Sequence, residues 1–442
     1  MTIDRHQAVL QAAYQAWCGG AALRATRQRA KRFTYGDQWG DTVTDRRTGL
    51  TITERDRLLA EGARPVTNNL IRQLVKTIVG RYRADVIDTE RGPADKRVAA
   101  ARDDNELDEL DSRALEDFLI GGAVVQRVDD SEGHVAVTNV GLDRFFINAI
   151  RDPRGLDCEL IGQLHDMSLA SLLRRVARGS RRRAAAVRRL YSDAECHGTA
   201  SMSLPLGGDA TRGGDFWSTS QPGKCRAIEV WTLESREAGG ARWDVTMHWH
   251  CRWFTPRGDV LAEYDSPWSH GGHPFVFKLY PLTDGEVHPV VEDVIDQQML
   301  VNNMVTVLDQ ILRNTAKGVL LYPESALPDG FTWKDIRGIW SRTGGILPYA
   351  PRVGDPRPEQ VSVNGTGIGA FEMIQLQLQM IERASGVTGA LQGLTPQGGS
   401  TAGLYRQQSD NAAVALTDVY DTFTAFRRHR NRMIQSMVKV DR

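Results

Sequence analysis

The segment from Asn364 to Arg442 constrains the fold of this chain most, because it combines two helical patterns with a loop that cannot join a core. The first pattern runs from Gly369 to about Ala384. Its apolar residues are spaced three and four apart, which predicts a packed helix face formed by Phe371, Ile374, Leu378 and Ile381. A second apolar line lies on another side of the same helix, at Met373, Leu376 and Met380. Two faces of one short helix therefore need partners.

The loop that follows, Gly386 to Gly403, holds six glycines and one proline among small polar residues. Such residues neither fill a core nor continue a helix, so we predict an exposed loop. From Leu404 to about Val440 helical spacing resumes without glycine or proline, which predicts a rod about 50 Å long. Its apolar positions are Leu416, Val419, Phe423, Phe426, Met433 and Met437.

A second helical seam precedes this unit, from Val291 to about Asn314. Apolar residues recur there every seven positions and predict a packed helix about 35 Å long. They are Val294, Val301 and Leu308. Acidic residues dominate this region, since six acids and one arginine lie between Asp284 and Arg313. Four of these acids belong to the predicted helix, namely Glu292, Asp293, Asp296 and Asp309.

Between the two seams lie two strand-like runs, Gly318 to Pro323 and Gly344 to Tyr349, which enclose a small insertion. The order is therefore long helix, small α/β excursion, apolar helix, glycine-rich loop and very long helix. Two helices that flank a compact excursion predict a stalk with a tip.

The rest of the chain combines helices with a β-rich region, and the predicted fold class is α+β. Helical patterns cover residues 3–35 with a break near Gly19, residues from about Pro65 to Gly80 or shortly after, and residues 94–120. We interpret the acids of the last pattern, Asp111 among them, as a solvated helix face. Strand-like runs begin after Gly122, and residues 226–277 alternate like the antiparallel strands of one compact unit.

Composition bounds the class of protein. A chain of 442 residues exceeds what a single core usually supports, which predicts more than one domain. The formal net charge is zero, so only the distribution of charge bears on a nucleic-acid partner. Five scattered cysteines without a C-x-x-C pair argue against a disulfide framework and favour a reducing compartment. No window has the apolar length of a membrane span, and the N-terminus lacks a signal-peptide pattern.

Arginine is concentrated in two stretches. The first, Leu169 to Leu190, carries eight arginines and no acid, and its centre is Arg181, Arg182 and Arg183. Binding to phosphates and exposure on the outside of an assembly both explain it. The second cluster lies near the end of the long C-terminal helix and contains Arg427, Arg428 and Arg430. It either faces DNA or is solvated.

Motifs for catalysis are missing. The chain contains no P-loop, G-x-S-x-G or H-E-x-x-H motif, which disfavours a packaging ATPase and leaves no constellation that supports a reaction. His248 and His250 have ligand-like spacing on one face of a strand, but no further ligands are evident, so structural histidines are the favoured interpretation. We predict no catalytic residue, metal or cofactor. A metal-dependent nuclease or hydrolase built on these histidines is the rival class.

The order of elements resembles the portal proteins of tailed double-stranded-DNA bacteriophages. The resemblance spans roughly residues 35–440 and is strongest after Pro274. Three stretches carry it: RPVTNNLIRQLVKTIVG after GDQW, then HPFVFKLYPLTDGEVHPVVEDVIDQQMLVNNMVTVLDQILRNTAKGVLLYP, and ASGVTGALQGLTPQGGSTAGLYRQQSDNA. It implies a structural protein, not an enzyme. Such proteins form a ring, typically of twelve subunits, at one capsid vertex, through which viral DNA is packaged and ejected.

The resemblance also divides the chain into segments. They are a wing (1–290, β-rich from about 121), a first stem helix (291–315), a clip (316–352), a linker with the second stem helix (353–386), a tunnel loop (387–402) and a long helix leading to a short crown (403–442). The loop residues expected in the DNA channel are Leu391, Gln392, Thr395, Pro396, Gln397, Ser400 and Thr401. An uncharged loop and the acids of the first stem helix agree with a channel that does not grip the DNA.

Partners implied by the resemblance are further copies of the chain, double-stranded DNA bound without sequence preference, the major capsid protein, the terminase, and head-to-tail adaptor or neck proteins. A membrane is not among them. The implied location is the portal vertex of the virion, after synthesis in the host cytoplasm. Another virion connector or adaptor is the alternative, although those proteins are usually shorter and lack the succession of stem, clip and stem.

Overall fold

The computed structural model describes most of the chain and has mixed secondary structure, 49% helical and 22% strand, which confirms the α+β class. The described residues are 2–45, 48–89, 96–131, 134–191, 216–219, 221–238, 244–315, 319–341, 346–350, 354, 357–361, 367–385, 387, 414 and 416–437. The predicted tunnel loop, apart from residue 387, lies outside them.

Twelve helices of seven residues or more lie in the described ranges. In chain order they are α1 (Thr2–Gly19), α2 (Ala21–Thr34), α3 (Glu54–Ala60), α4 (Leu70–Thr89), α5 (Lys96–Asp104), α6 (Leu107–Gly121), α7 (Leu169–Ala177), α8 (Arg181–Leu190), α9 (Glu292–Thr315), α10 (Trp333–Ser341), α11 (Gly367–Ser385) and α12 (Thr417–Ser436). The two seams predicted after residue 290 thus form α9 and α11, with bounds within two residues of those expected. The predicted break near Gly19 separates α1 from α2.

The strands of the described ranges form antiparallel pairs. In chain order they are β1 (Thr42–Thr44), β2 (Thr51–Thr53), β3 (Ala123–Ser131), β4 (His134–Asn139), β5 (Phe145–Ile147), β6 (Leu160–Met167), β7 (Cys225–Ala238), β8 (Asp244–Phe254), β9 (Val260–Asp265), β10 (Phe275–Leu279), β11 (Leu282–Thr283), β12 (Glu286–Val287), β13 (Val319–Leu321) and β14 (Glu359–Val361). They build a five-stranded sheet in the order β5-β6-β7-β8-β9, a three-stranded sheet in the order β10-β3-β4, and three two-stranded pairs.

The chain forms two compact units. The large unit contains Met1–Asp37, Asn69–Asp296 and Glu382–Arg442, and the small unit contains Gln38–Asn68 and Gln297–Ile381. Each unit is therefore assembled from segments that are far apart in the sequence. This arrangement agrees with the expectation that 442 residues form more than one core.

The five-stranded sheet of the large unit is covered by α1. Leu10, Ala13 and Trp17 are spaced three and four apart on α1, so they share one face, and all three are buried. They form a core with Phe146 of β5 and Phe254 of β8, among others. The amphipathic pattern of the first helix thus determines which side of α1 contacts the sheet.

The three-stranded sheet of the large unit packs against α6 and α12. All six apolar positions predicted for the long C-terminal helix are buried, from Leu416 to Met437. The aromatic rings of Phe118, Tyr82, Phe423 and Phe426 form a cluster at this contact. The described part of the C-terminal segment is therefore packed within the large unit along α12.

A buried ionic network connects the two sheets of the large unit. Arg127 of β3 donates to the Glu229 carboxylate of β7 at 2.5 Å, and Glu229 is fully buried. The carboxylate also accepts from Trp231 Nε1 at 2.8 Å and lies 2.7 Å from His165 Nε2. Burial opposes ionisation of Glu229, but the charge of Arg127 and the hydrogen bond to His165 outweigh it and hold the pKa of Glu229 well below its usual value. The network is paired on every side, which fits a structural role.

The small unit contains a hairpin, a short helix and the greater part of the two seam helices. The hairpin β1-β2 leads directly into α3, whose first turn is capped because Thr53 accepts a hydrogen bond from the Asp56 N–H. Trp39, Leu58 and Ala63 form a local core there. The strand pair β13-β14 and the helix α10 complete this unit.

Three helix predictions differ from the structure. The rod predicted from Leu404 to about Val440 is shorter, since α12 spans only Thr417–Ser436, about 30 Å, with Leu416 and Met437 at its two ends outside the helix. The helix predicted to stop near Gly80 continues to Thr89, because one interior glycine costs only about 1 kcal/mol and the buried Ile78 and Tyr82 keep the same face packed. The helix predicted over residues 94–120 is broken between α5 and α6, where Glu106 has a φ of 49°. The break is held by Asn105, whose side chain bonds the backbone of Val135 and Val137 on β4.

Strand pairing accounts for the other differences. β10 was predicted within one β-rich unit with β7 and β8, but it pairs with β3 in the other sheet, and β9 takes the place beside β8. The run Gly344 to Tyr349 was predicted as a strand, yet residues 346–350 form none, and β13 pairs instead with β14. Such pairings join distant segments, so local pattern does not predict them. None of the described helices has the length and apolar character needed to cross a membrane.

Candidate functional site

The buried face of α9 begins with the predicted apolar seam. Val294 and Val301 are fully buried, and Leu308 is half-buried. Valines seven residues apart return to the same side of a helix, so the seam is continuous over the first half of α9. Its role in contacts between copies of the chain stays a prediction.

A row of polar side chains runs along the same helix and was not foreseen from the sequence. Gln298, Asn302 and Thr306 are spaced four residues apart, and all three are buried. They hydrogen-bond the backbone of residues 66 and 68, just before α4. The bonds run from Val66 N–H to Thr306 Oγ1 (3.1 Å), from Asn68 N–H to Asn302 Oδ1 (3.0 Å) and from Gln298 Nε2 to the Asn68 carbonyl (2.5 Å).

This polar row satisfies groups that burial would otherwise penalise. A buried donor or acceptor without a partner costs about 1–3 kcal/mol, so the three side chains stabilise the structure only while the backbone of residues 66–68 lies against them. Asn302 also donates to Gln38 Oε1 at 2.5 Å. The segment that carries part of the family resemblance is therefore fixed to α9 through its backbone. The sequence signal that could have predicted this contact is the recurrence of polar residues every four positions in an otherwise apolar helix.

Two of the four acids predicted for the channel lie at the accessible side of α9. Asp293 and Asp296 are exposed, whereas Glu292 and Asp309 are half-buried. The exposed positions continue along the same side of the helix to Leu300, four residues after Asp296, and to Val307, seven residues further on; these two side chains are 40% and 51% exposed. One accessible stripe of α9 is thus acidic at its start and apolar further on.

The two apolar lines of α11 have different environments. On the predicted seam, Ile381 is buried, Ile374 and Leu378 are half-buried, and the side chain of Phe371 lies outside the described residues. On the second line, Met373, Leu376 and Met380 are 49%, 49% and 42% exposed. A single copy of the chain therefore leaves one apolar face of this helix in contact with solvent.

The loop residues expected in the DNA channel follow α11 in the sequence. Leu391, Gln392, Thr395, Pro396, Gln397, Ser400 and Thr401 all lie outside the described residues. Their assignment stays a prediction. The chain enters this segment after Ser385, which is buried at the end of α11.

The first arginine cluster is accessible. Arg181, Arg182 and Arg183 form the first turn of α8 and are exposed. Ser180 caps this helix by accepting a hydrogen bond from the Arg183 N–H at 3.4 Å. Both interpretations of this cluster, contact with phosphates and a basic outer surface, require exposed side chains.

The second arginine cluster is different, and the prediction for two of its members was wrong. Arg427 and Arg430 neither face DNA nor lie in solvent, because their side chains are 7% and 2% exposed and both pair with Asp111 of α6. Arg427 Nε donates to Asp111 Oδ2 at 2.8 Å, and Arg430 donates to Oδ1. Asp111 is accordingly no part of a solvated acidic face. Arg428, between the two, is exposed.

The reason is geometric. Positions 427 and 430 are three residues apart on α12, so they share a side, and that side faces α6 and β3. Gln126 of β3 extends the cluster by donating to Asp111 at 3.3 Å and accepting from Arg430 at 3.3 Å. A cluster of like charges in the sequence predicts a surface feature, but two of these charges are neutralised by an acid more than three hundred residues earlier.

Comparison with known protein families identifies the family of this chain. A sequence model of the family described as Phage P22-like portal protein matches residues 10–440, nearly the whole chain. The chain belongs to the P22-like phage portal protein family. A search of curated proteins finds no match to this chain.

Membership makes this chain a phage portal protein, with roles at the capsid vertex in genome packaging and in docking of partner proteins. Portal proteins form oligomeric rings and contact the capsid and the terminase, and the family is structural rather than enzymatic. The location that follows is the capsid of the virion. In this portal protein the long helix α9, the small α/β segment that follows it and the apolar helix α11 succeed one another after residue 290.

Proposed function

We propose that twelve copies of this portal protein form a ring whose central channel conducts double-stranded DNA. In this proposal α9 and α11 are the stem of each subunit, residues 316–352 are the clip, residues 387–402 line the bore, residues 1–290 form the wing, and residues 403–442 lead to a short crown. The observation that carries the proposal is the exposed apolar line on α11, formed by Met373, Leu376 and Met380.

Three large apolar side chains in one row need a covering surface. Burying a leucine or methionine completely stabilises a structure by about 1.5–3 kcal/mol, so covering the exposed halves of three gives roughly 3 kcal/mol per subunit contact. The exposed Leu300 and Val307 of α9 offer a complementary apolar stripe. If α11 of one copy packs on α9 of the next, the contact is heterologous, and repeated rotation closes it into a ring.

Ring symmetry gives the exposed acids of α9 a function. Each copy contributes Asp293 and Asp296 at the start of α9, before the apolar part of the stripe, so a ring that leaves this end of the helix open to its channel carries circles of negative charge. DNA carries one negative charge per ~1.7 Å of its axis, and repulsion prevents it from binding to such a wall. An uncharged loop at the narrowest point would act in the same sense. The DNA can then move through the channel without being held.

The proposed partners follow the proposed surfaces. The terminase and the adaptor or neck proteins would contact the clip, and the major capsid protein would contact the wing. The exposed Arg181, Arg182 and Arg183 of α8 give the wing a basic surface that an acidic protein partner or a phosphate backbone could contact.

The experiment that tests the ring proposal is a charge substitution on the exposed apolar line. Met373→Lys combined with Leu376→Lys should prevent ring formation, because each subunit contact would then bury two ammonium groups. The control is Gln375→Lys, which adds one positive charge at an exposed position on another side of α11. Native mass spectrometry and negative-stain electron microscopy measure the outcome.

We expect rings from the wild type and from Gln375→Lys, and monomers from the double variant. Circular dichroism must show unchanged helix content in all three proteins, so that loss of assembly is not loss of folding. Intact rings in the double variant would contradict the assignment of this face to the subunit contact.

A further inference from the structure

Four side chains with metal-ligand chemistry converge on one face of the five-stranded sheet. Glu234 of β7 pairs directly with His248 of β8, and His250 of β8 pairs directly with Asp265 of β9. His248 and His250 are two residues apart in one strand, so they project from the same face. Directly opposed residues of neighbouring strands also share a face. The sheet thus supplies the additional ligands that the sequence around the two histidines did not reveal.

The ligand atoms are close enough to share one ion. Glu234, His248 and His250 each offer one nitrogen or oxygen atom, and these three atoms lie within 4.8 Å of one another. Ligands bound to Zn²⁺ at about 2.0–2.2 Å lie roughly 3.5 Å apart in a tetrahedron, so small side-chain rotations would complete the geometry. This is the single such group of three among the residues that the structure describes.

The hydrogen bonds of the imidazoles leave the required nitrogens available. His250 Nδ1 lies 2.7 Å from Asp265 Oδ1, so it donates its N–H to this carboxylate and keeps a lone pair on Nε2. His250 Nε2 and His248 Nδ1 are buried and have no hydrogen-bond partner among the described residues. A carboxylate that orients a histidine from behind is a common support of metal ligands. Each ring therefore has a nitrogen that is free to bind an ion.

Two arginines bind Glu234 and determine which oxygen is accessible to a metal. Arg252, with a side chain 4% exposed, donates to Oε1 at 2.6 Å and holds the carboxylate in place. Arg5 of α1 donates to Oε2 at 2.7 Å, but its side chain is 61% exposed. An exposed ion pair contributes only about 0–1 kcal/mol, so a metal can displace Arg5 at low cost.

We propose that Glu234, His248 and His250 bind a divalent transition-metal ion, with Asp265 as the positioning residue of His250. Two imidazoles and one carboxylate suit Zn²⁺, Co²⁺ or Ni²⁺, whereas Mg²⁺ and Ca²⁺ prefer oxygen ligands. The ion would connect β7 to β8 and compete with the contact between Arg5 and the sheet. This proposal does not depend on the assembly of the ring.

Titration of the purified full-length protein with Co²⁺ tests the proposal, because visible absorption reports both stoichiometry and ligand geometry. We expect one tightly bound equivalent in the wild type, and none when His248→Ala and His250→Ala are combined. The controls are His134→Ala and His288→Ala, whose side chains are 82% and 56% exposed. Both controls should bind as the wild type does.

Two further variants keep the test decisive if the double histidine variant fails to fold. Asp265→Asn should weaken Co²⁺ binding about 10–100-fold, as loss of an orienting carboxylate does. Arg5→Ala, at an exposed position, should strengthen binding, because the competitor for Glu234 Oε2 is removed. Absence of a stoichiometric site in the wild type, or equal affinity in the wild type, Asp265→Asn and Arg5→Ala, would overturn the proposal.

Discussion

Replacement of Asp111 by asparagine tests the buried cluster that fixes α12 to α6. Asparagine has nearly the same shape, so packing is kept while the negative charge is removed. In the native protein one carboxylate accepts hydrogen bonds from both Arg427 and Arg430. Without its charge, two guanidinium groups that are 7% and 2% exposed lose their counter-ion.

The expected loss follows from the cost of unpaired buried charge. Removal of one partner from a buried ion pair destabilises a protein by about 3–5 kcal/mol. The Asp111 side chain is only 9% exposed, so water cannot replace it at the guanidinium groups without opening the contact between α6 and α12. Arg427 and Arg430 retain hydrogen bonds to Tyr82 and Gln126, which places the loss within this range and not above it.

Urea unfolding monitored by tryptophan fluorescence measures this loss. With a slope of about 3 kcal/mol per molar urea, the midpoint should fall by roughly 1–2 M. The matched control is Asp108→Asn on the same helix, where the carboxylate is 48% exposed and pairs with the half-exposed Arg102. An exposed pair of this kind contributes about 0–1 kcal/mol, so the control should change the midpoint little.

A difference below about 1 kcal/mol between Asp111→Asn and Asp108→Asn would refute the argument from burial. A second variant separates charge from packing: Asp111→Leu combined with Arg427→Met and Arg430→Met removes all three charges. Because well-packed apolar residues often replace a buried ionic cluster without loss, this variant should recover much of the stability that Asp111→Asn loses.

Three further predictions concern other parts of the chain. Burial, together with the nearby His429 and His270, lowers the pKa of His273 to about 3. In the unfolded chain this imidazole becomes protonated near pH 6.5, so acidification favours the unfolded state. The free energy of unfolding measured with urea should therefore fall by roughly 2 kcal/mol between pH 7.5 and pH 5 because of His273. Asn302→Ala should destabilise the small unit by about 1–3 kcal/mol and increase hydrogen exchange at Asn68, which loses its acceptor. Lysine at Gln392 and Gln397 should slow DNA packaging in a reconstituted motor, because a basic loop would bind the phosphates.

Each of these has a matched comparison. His273→Asn keeps an acceptor near the position of Nδ1, which accepts from the Phe275 N–H, and should remove the His273 contribution to the pH dependence. An unchanged slope would contradict the assignment. Asn303→Ala, at the half-buried neighbour of Asn302, should leave exchange at Asn68 unaltered. Packaging at the wild-type rate with lysine, or equal slowing by alanine at Gln392 and Gln397, would count against a charge effect in the channel.

Sequence reasoning was most accurate where a pattern is local and repeats. The seams of α9 and α11 were placed within two residues, because apolar spacing of three, four and seven residues reports the period of a helix directly. The six apolar positions from Leu416 to Met437 are all buried for the same reason. The exposed second line of α11 was also visible as a face without a partner in its own sequence neighbourhood.

Local patterns of this kind could not predict interactions between segments that are distant in the sequence. Nothing near Arg430 indicates that its counter-ion is Asp111, and nothing near β10 indicates that its partner is β3. Glu234 is an intermediate case. It opposes His248 in the pairing of β7 with β8, so the strand register would have placed it beside the histidines if that pairing had been known first.

The contact between α9 and the backbone at residues 66–68 restricts how this portal protein can change in length. Two residues of extended chain advance about 6.6 Å and four residues of helix advance about 6 Å, so alternate N–H groups meet acceptors one helical turn apart. Insertion or deletion of one residue between Pro65 and Asn69 would turn those N–H groups away from Asn302 and Thr306 together. The side chain of Asn68, in contrast, is exposed and free to vary. Related proteins should therefore tolerate substitutions in this segment but not changes in its length.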